Sequence, residues 1–320
     1  MMTEAKTAIP YTRPAVWPAI RDGRFAQSIR SDSPKGCQLA LLGLPDDTGV
    51  RLNGGRAGAV EGPSALRAAL ASFGTPWDGL VRERIELSIF DAGDVDIAPG
   101  GDEAALLSTH ERVEAAVSAL HELGLLPICV GGGHDLSLPS IRALSKKLNQ
   151  PLAGINVDAH LDVRERVGSG MPFRRLIEGQ FLDPQRFLTY GVGRFVNDER
   201  DARWLEELGA TLLNVEHTGL EPARPKNIVS RLFADGASGF LSVDLDGLDG
   251  SAVSGVSAVN PAGLDVPRVA ALVELCGLSP AVRHFDLMEL SPGWDASGRS
   301  ARVAAYLLLC FVAGFARRAR

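Results

Sequence analysis

The stretch from residue 152 to residue 164 combines an apolar run with three side chains of the kind that bind metal ions. The run Leu-Ala-Gly-Ile-Asn-Val is followed by Asp158, His160 and Asp162. In an extended segment alternate side chains point to the same face, so these three leave the end of one strand together. The stretch constrains the fold, because a strand that is apolar throughout needs cover on both faces.

A second stretch, residues 239–249, has the same arrangement. Its apolar residues lead to Asp244 and Asp246, which are again two positions apart. A further polar group, His134, follows an apolar run after three consecutive glycines. We interpret these strand ends as a site that holds a pair of divalent cations.

Apolar runs and helical patterns alternate along the rest of the chain. Runs without polar alternation indicate buried strands, and their alternation with helices is typical of an α/β fold with a parallel sheet between helical layers. The predicted strands are 38–44, 87–91, 126–130, 152–157, 187–192, 211–215, 239–243 and 283–287. The predicted helices are about 61–73, 102–123, 136–148, 198–209, 224–235, 265–277 and 299–316.

The composition shows no break that would divide the chain. We therefore predict one domain, residues 37–320, preceded by an irregular segment, residues 1–36, that packs on the core. In parallel sheets ligands gather beyond the carboxyl ends of the strands, which is where the polar groups fall here. Glu289 follows the last predicted strand, and a Gly-rich loop at 45–60 is expected to border the site.

Charge and cysteine usage exclude several classes of function. A formal net charge of -6 without a long basic run argues against a nucleic-acid partner. The four cysteines are far apart and lack CxxC spacing, so we expect neither a disulfide framework nor a zinc ribbon. No signal-peptide core and no membrane-spanning run is recognisable. We expect a cytoplasmic protein that acts on a small molecule and has no membrane partner.

The acidic side chains pose an electrostatic problem that cations solve. Four carboxylates within a few ångströms would repel one another, and at least one would bind a proton. Two divalent cations remove the repulsion, and oxygen with imidazole ligands suits Mn²⁺, with Zn²⁺, Fe²⁺, Co²⁺ or Ni²⁺ as alternatives. The remaining histidines are interpreted as surface or structural residues: His110, His121, His217 and His284.

Three motifs resemble the signatures of the ureohydrolase family, which includes arginase, agmatinase and formimidoylglutamase. They are Gly-Gly-Gly-His-Asp at 131–135, Asp-Ala-His-Leu-Asp at 158–162 and Ser-Val-Asp-Leu-Asp-Gly-Leu-Asp at 242–249. The resemblance runs from the loop near residue 53 to residue 295. It implies the arginase-like fold, a three-layer α/β/α sandwich around a mainly parallel sheet of eight strands.

The resemblance also implies a ligand map for two manganese ions in each subunit. His134 and Asp162 would bind one ion, His160 and Asp246 the other, and Asp158 and Asp244 would bridge them.

The same resemblance implies a hydrolytic mechanism. The two cations make a water reactive near neutral pH, and its target is the trigonal carbon of an amidine or guanidinium group. Asp162 is implied as the group that passes a proton to the departing amine, and His160 is counted with it among the catalytic residues. Glu289 is implied as the carboxylate that holds the cationic nitrogens of the substrate.

One branch of the family is the most similar. Arginase-like and agmatinase-like members carry a histidine where this chain has Ser169, whereas the formimidoylglutamase branch has Ser-Gly-Thr-Pro-Phe, close to Ser-Gly-Met-Pro-Phe at 169–173. The predicted reaction is therefore hydrolysis of N-formimidoyl-L-glutamate to L-glutamate and formamide, a step of histidine degradation. A substrate with two carboxylates needs cations or donors, and the candidates are Arg56, Arg164, Ser169 and Arg174.

Two alternatives stay open at this point. Another ureohydrolase could act on agmatine or a guanidino acid such as guanidinobutyrate and release urea. Differences from the family pattern at Gly250 and Ser291, in loops near the site, keep the substrate open. An inactive scaffold with the ureohydrolase fold is the second alternative, although all six ligand types are present. In either case we expect a homo-oligomer.

Overall fold

The computed structural model describes residues 9–220 and 224–318. Its strands are β1 Thr12–Arg13, β2 Ile29–Arg30, β3 Leu39–Leu44, β4 Trp77–Asp78, β5 Glu83–Arg84, β6 Ile89–Val95, β7 Leu126–Gly131, β8 Leu152–Val157, β9 Leu182–Val192, β10 Thr211–Asn214, β11 Gly239–Asp244 and β12 Val282–Met288. Its α-helices are α1 Thr48–Leu52, α2 Gly62–Ser72, α3 Glu103–Glu122, α4 Ser137–Leu148, α5 Pro172–Glu178, α6 Glu199–Glu207, α7 Pro225–Leu232, α8 Val266–Leu278 and α9 Arg299–Ala316.

Eight long strands form one parallel sheet in the order β6-β3-β7-β12-β11-β8-β9-β10. The short strand β1 pairs antiparallel with β6, and β2 pairs parallel with the same strand. Each of the eight strands overlaps one predicted from the sequence, so the predicted mainly parallel sheet is confirmed. The two short strands at the β6 edge were not predicted, because two residues carry no readable periodicity.

Alternation along the strands divides the core between the two faces of the sheet. Leu39 and Leu41 of β3 pack in a cluster with residues of α2, α8 and α9, whereas Leu42 and Leu44 pack in another cluster with α3. A third cluster joins Phe240 to α4 and α5. The helices therefore cover both faces, and the predicted three layers are present.

The N-terminal residues 9–36 lie against the β6 edge. Trp17 donates through Nε1 to a carboxylate oxygen of Asp91 at 2.5 Å, and Phe25 is fully buried. The same Asp91 forms a buried ion pair with Arg67 of α2 at 2.9 Å. The first eight residues of the predicted irregular segment lie outside the described part.

One helix of the described part, α9, has the length and apolar composition of a membrane span, with a mean hydropathy of 1.4 over 18 residues. The sequence analysis recognised no run of this length and apolar composition, and so it missed this candidate span. In the structure 56% of the stretch is buried, and the helix packs against α8 and α2. Burial in the core accounts for its apolar composition.

Two short helices also differ from the prediction. The Gly-rich loop at 45–60 contains α1, and the segment after the second motif contains α5, which begins with Pro172. Proline suits the first turn of a helix, where its missing N–H costs nothing. Both helices are too short for a clear 3.6-residue pattern, and both lie beside the carboxyl edge of the sheet.

Candidate metal centre

The predicted ligands meet at the carboxyl edge of the sheet. His134 follows β7, Asp158 follows β8, and Asp244 is the last residue of β11. In the order β7-β12-β11-β8 these strands are neighbours, so residues far apart in sequence reach the same edge. The topology therefore places the three motifs together, as the sequence predicted.

The first ligand group consists of His134, Asp158, Asp162 and Asp244, with one ligand atom of each within 4.8 Å of the others. His134 Nδ1 lies 3.3 Å from Asp158 Oδ2, 2.8 Å from Asp162 Oδ2 and 3.1 Å from Asp244 Oδ2. The side chain of His134 is 1% exposed, and that of Asp162 is 11% exposed.

The second ligand group consists of Asp158, His160 and Asp246, again within 4.8 Å. His160 Nδ1 lies 3.5 Å from Asp158 Oδ1 and 3.4 Å from Asp246 Oδ1. Asp158 therefore turns one oxygen to each group, as a bridging ligand would. Asp244 has a ligand atom in the first group only, so its bridging role stays a prediction.

The backbone around the ligands is held by short local bonds. Asp158 Oδ1 accepts the N–H of His160 at 2.6 Å and so forms a turn with the residue two positions on. Asp244 forms the same turn with Asp246. Asp162 and Glu289 have φ values of 50° and 65°. Residues other than glycine rarely adopt this left-handed backbone conformation. Backbone strain of this kind is found most often at functional sites.

Glu289 joins the centre from β12. Its Oε1 accepts the backbone N–H of His134 at 3.1 Å, and its side chain is buried. Its Oε2 makes no hydrogen bond to the described residues. A buried carboxylate oxygen without a partner beside the ligands fits the predicted contact with a cationic substrate group.

Burial and like charge shift the pKa values of Asp244, Asp246 and Glu289 upward, whereas hydrogen bonds from His134 and His160 outweigh burial and lower the pKa of Asp158. Burial raises the pKa of Asp244 well above its usual range, and the charges of Asp246 and Asp158 add to this. Burial also raises the pKa of Asp246 to about 6, and burial with the charge of Asp244 raises the pKa of Glu289. Protons or cations are therefore needed to hold these groups together.

The pKa values of the two histidines are also raised, in their case by the neighbouring carboxylates. Burial alone would lower the pKa of His160, but the neighbouring Asp246 and Asp158 outweigh it and raise the pKa to about 12. His134 behaves alike, because its contacts with Asp158, Asp162 and Asp244 overcome burial and raise its pKa. The imidazoles thus carry the positive charge that metal ions would otherwise supply.

The donor set fits two divalent cations. Buried His134 Nδ1 and Asp246 Oδ1 make no hydrogen bond to the described residues, so both are available as ligands. Carboxylate oxygens and imidazole nitrogens are ligands that Mn²⁺ accepts. Four carboxylates shared between two groups balance the charge of two such ions.

The predicted substrate-binding residues have different surroundings. Arg56 donates to the carbonyls of Ser257 and Val256 at 2.9 and 2.7 Å and stacks on Trp294. Ser169 is nearly buried, and its Oγ accepts a bond of 3.3 Å from Asn53.

The other two arginines line a cavity of about 760 Å³ that reaches His160 and Asp162. Arg174 is 7% exposed, donates to the carbonyl of Val163 at 2.5 Å and lies 4.1 Å from the ring centre of Trp204. Arg164 is exposed, and among the residues that the structure describes it donates only to Asn53, at 2.8 Å. These contacts fix Arg174 in the fold and leave the Arg164 guanidinium mostly free.

Sequence reasoning missed two sets of residues around the ligands. Asn197 donates to the carbonyl of Ala159 at 2.9 Å and accepts the N–H of Leu161 at 3.0 Å, so its amide brackets His160. His284, interpreted as surface or structural, is fully buried and bonds to Asp286 at 3.1 Å. Polar residues inside apolar strands were the available signal for the second set.

Comparison with known proteins places this geometry in context. The Arginase family model matches residues 37–314. Formimidoylglutamase of Ralstonia nicotianae is 33% identical over 324 residues, which cover 95% of this chain and 96% of that protein. Formimidoylglutamase of Aromatoleum aromaticum is 32% identical over 94% of this chain and 89% of its own length. The crystal structure of Trypanosoma cruzi formiminoglutamase with Mn²⁺ has a TM-score of 0.85 and 31% identity, covering 93% of this chain and 100% of that one.

Proposed function

Because this chain belongs to the arginase family, we propose that it hydrolyses N-formimidoyl-L-glutamate to L-glutamate and formamide. The observation that carries the proposal is the convergence of six predicted ligands in two groups that share Asp158. Similarity to formimidoylglutamases over nearly the full length of both chains supports this substrate above others. The reaction serves histidine degradation.

The centre would hold two Mn²⁺ ions, as the structure of the Trypanosoma cruzi protein does. One ion would lie within the group around His134, and the other within the group around His160. When bound, such ions lower the pKa of water and so supply a nucleophile near neutral pH.

The side chains of this chain would then orient the substrate and move protons. Glu289 would hold the amidinium nitrogens with Oε2, the oxygen that makes no hydrogen bond to the described residues. Asp162 would pass a proton to the nitrogen that leaves with glutamate, because its side chain belongs to the ligand group and also lines the cavity. His160 lines the same cavity and would help to place the reacting carbon.

The carboxylates of the substrate would meet the cavity that contains Arg164. This arginine has one hydrogen bond and no ion pair among the described residues, so its remaining donors can bind a carboxylate in a bidentate manner. Ser169 would border the site through Asn53, which contacts both residues. Arg56 and Arg174 remain proposed substrate contacts, although both also donate to backbone carbonyls of neighbouring loops.

A parallel assay tests the substrate. The Mn²⁺-loaded protein is given formimidoylglutamate, arginine, agmatine and guanidinobutyrate, and formamide and urea are measured. We expect formamide from the first compound and no urea from the others. Turnover of a guanidino compound alone would reject the proposed substrate and favour the urea-releasing alternative.

A variant at Arg164 sharpens the assay. Arg164→Gln should raise KM by about 10-fold or more, since one charge-assisted contact to a carboxylate contributes about 1.5–3 kcal/mol. Arg203→Gln is the matched control, because Arg203 is exposed and pairs with Glu199 on α6 away from the cavity lining. An unchanged KM in Arg164→Gln would remove this residue from the substrate contacts.

We also propose a cytoplasmic location and a homo-oligomeric state. The four cysteines are all unpaired, which suits a reducing compartment. Sedimentation equilibrium of the purified chain measures the oligomeric state, and a monomer at micromolar concentration would exclude a stable oligomer.

A further inference from the structure

A row of buried polar groups leads away from His134 into the sheet. His134 Nε2 lies 2.9 Å from Ser242 Oγ, and Ser242 Oγ donates to Asp286 Oδ1 at 2.5 Å. His284 Nε2 lies 3.1 Å from the other oxygen of the same carboxylate, Asp286 Oδ2. All four side chains are no more than 1% exposed, so water does not compete for these bonds.

Strand register places the row where it is. The parallel pairing of β11 with β12 sets Ser242 beside Asp286, and the period of two along β12 sets His284 on the same face. Polar groups in fully buried strands are costly unless they are hydrogen-bonded. Three of them in succession, ending at a proposed metal ligand, call for a role beyond packing.

The hydrogen bonds of Ser242 require a proton on Nε2 of His134. A carboxylate only accepts, so the Ser242 hydroxyl hydrogen points to Asp286. The Ser242 oxygen can then only accept from His134, whose ring proton must be on Nε2. That leaves Nδ1 as the nitrogen that faces Asp158, Asp162 and Asp244, where it donates a second ring proton to carboxylate oxygens when no cation is bound.

We propose that Asp286 and His284 are positioning residues, which act through Ser242 to keep the proton of His134 on Nε2 and its Nδ1 free to bind a cation. His284 does so by donating to the second oxygen of Asp286, so that the carboxylate is held in place as an acceptor. The inference rests on the metal centre of the proposed function and not on the identity of the substrate.

The test replaces Asp286, which only accepts hydrogen bonds, by asparagine, which can also donate one to Ser242. In Asp286→Asn the amide nitrogen can donate to Ser242, the hydroxyl can then donate to His134 Nε2, and Nε2 loses its proton while Nδ1 keeps the other. Nitrogen-15 spectra of the metal-free full-length protein should show Nε2 protonated in the unchanged chain and unprotonated in the variant. Manganese analysis should show affinity for one ion lowered about 10- to 100-fold, the usual effect of changing an outer hydrogen-bond partner, with the other ion retained.

Ser137→Ala is the matched control. Its hydroxyl lies 3.3 Å from Ser242 Oγ at the same depth and makes no hydrogen bond to the His134 ring in the described part of the chain, so the Nε2 proton and the metal content should stay as in the unchanged protein. His284→Gln, which keeps a donor, should bind two ions more tightly than His284→Leu. This pair carries the test if Asp286→Asn does not fold.

Two results would overturn the proposal. One is an Nε2 proton and two tightly bound ions in Asp286→Asn, and the other is equal manganese affinity in His284→Gln and His284→Leu. A failure of the proposed substrate would look different, because two ions would bind as expected while formimidoylglutamate was not hydrolysed.

Discussion

The two ligand groups share Asp158 but differ in depth. The side chain of His134 is 1% exposed and ends a row of buried hydrogen bonds, whereas that of His160 is 25% exposed and lines the cavity. His134 of the first group is therefore oriented by hydrogen bonds to side chains of the sheet. The second is held by a loop and is open to whatever enters the cavity.

The difference in exposure predicts that the buried group holds its ion more firmly and that the exposed group is more accessible to solvent and substrate. Outer hydrogen bonds that fix a ligand's orientation raise metal affinity, so the His134 group should release its ion more slowly. The His160 side chain is the more exposed of the two imidazoles, and an ion beside it would exchange through the cavity that also admits the substrate. Variants that affect one group or both can break or sharpen this contrast.

The largest effect is expected where the two groups meet. Asp158→Asn keeps the shape of the shared ligand but removes its charge, so affinity for both ions should fall by more than about 100-fold, beyond the loss from an outer-partner change. Metal analysis after gel filtration measures this, with the exposed Asp22→Asn as control. Retention of both ions would show that Asp158 does not link the groups.

A ligand of the second group alone should separate them. Asp246→Asn is expected to lose one ion, keep the other and retain about 1% of the activity or less, because the paired cations act together on the water. Manganese content and formamide release are measured on the same sample. Two bound ions with full activity would contradict the ligand map.

The dependence on pH follows from the raised pKa values in the second group. The pKa of Asp246 is raised to about 6 and that of His160 to about 12, so without cations the folded chain binds more protons here than the unfolded chain. Stability from this group is present at low pH and falls as pH rises through these values, by the linkage of proton binding to folding.

Cations replace those protons, so their contribution should grow with pH. The rise in Tm on adding Mn²⁺ is expected to be larger at about pH 8 than at about pH 5. Thermal melts with and without the ion measure it, and Asp246→Asn should flatten the dependence. An equal rise at both pH values would show that protons do not compete at this centre.

Much of the centre is readable in the sequence, because each motif is local. A continuous apolar run followed by Asp158, His160 and Asp162 carries both its strand and its ligands in one segment, and parallel pairing then brings such segments to one edge. The eight long strands were predictable for the same reason.

The residues that hydrogen-bond to the metal ligands could not be predicted from the sequence, because their contacts depend on the register between strands that are far apart in the chain. Ser242 and Asp286 are 44 residues apart and meet only through the pairing of β11 with β12. Likewise nothing local distinguishes Arg174, which is used in packing on Trp204, from Arg164, which stays exposed.

The smallest expected effect concerns the loop that holds His160. Asn197→Ala removes two hydrogen bonds, to Ala159 and Leu161, each of which contributes about 1 kcal/mol. Affinity for the second ion should fall about 10-fold, within the range for outer partners, while the first ion stays bound. Titration of the metal-free protein with Mn²⁺ resolves the two steps.

Asn214→Ala serves as the control for that experiment, because its amide donates to the carbonyl of Val192 at 3.3 Å and brackets no ligand. It should leave both binding steps unchanged. If Asn197→Ala weakened both ions alike, the loop would support the whole centre and the contrast between a buried and an open group would be lost. If only the second step weakens, the exposed histidine is held by its own loop, independently of the sheet that orients the buried one.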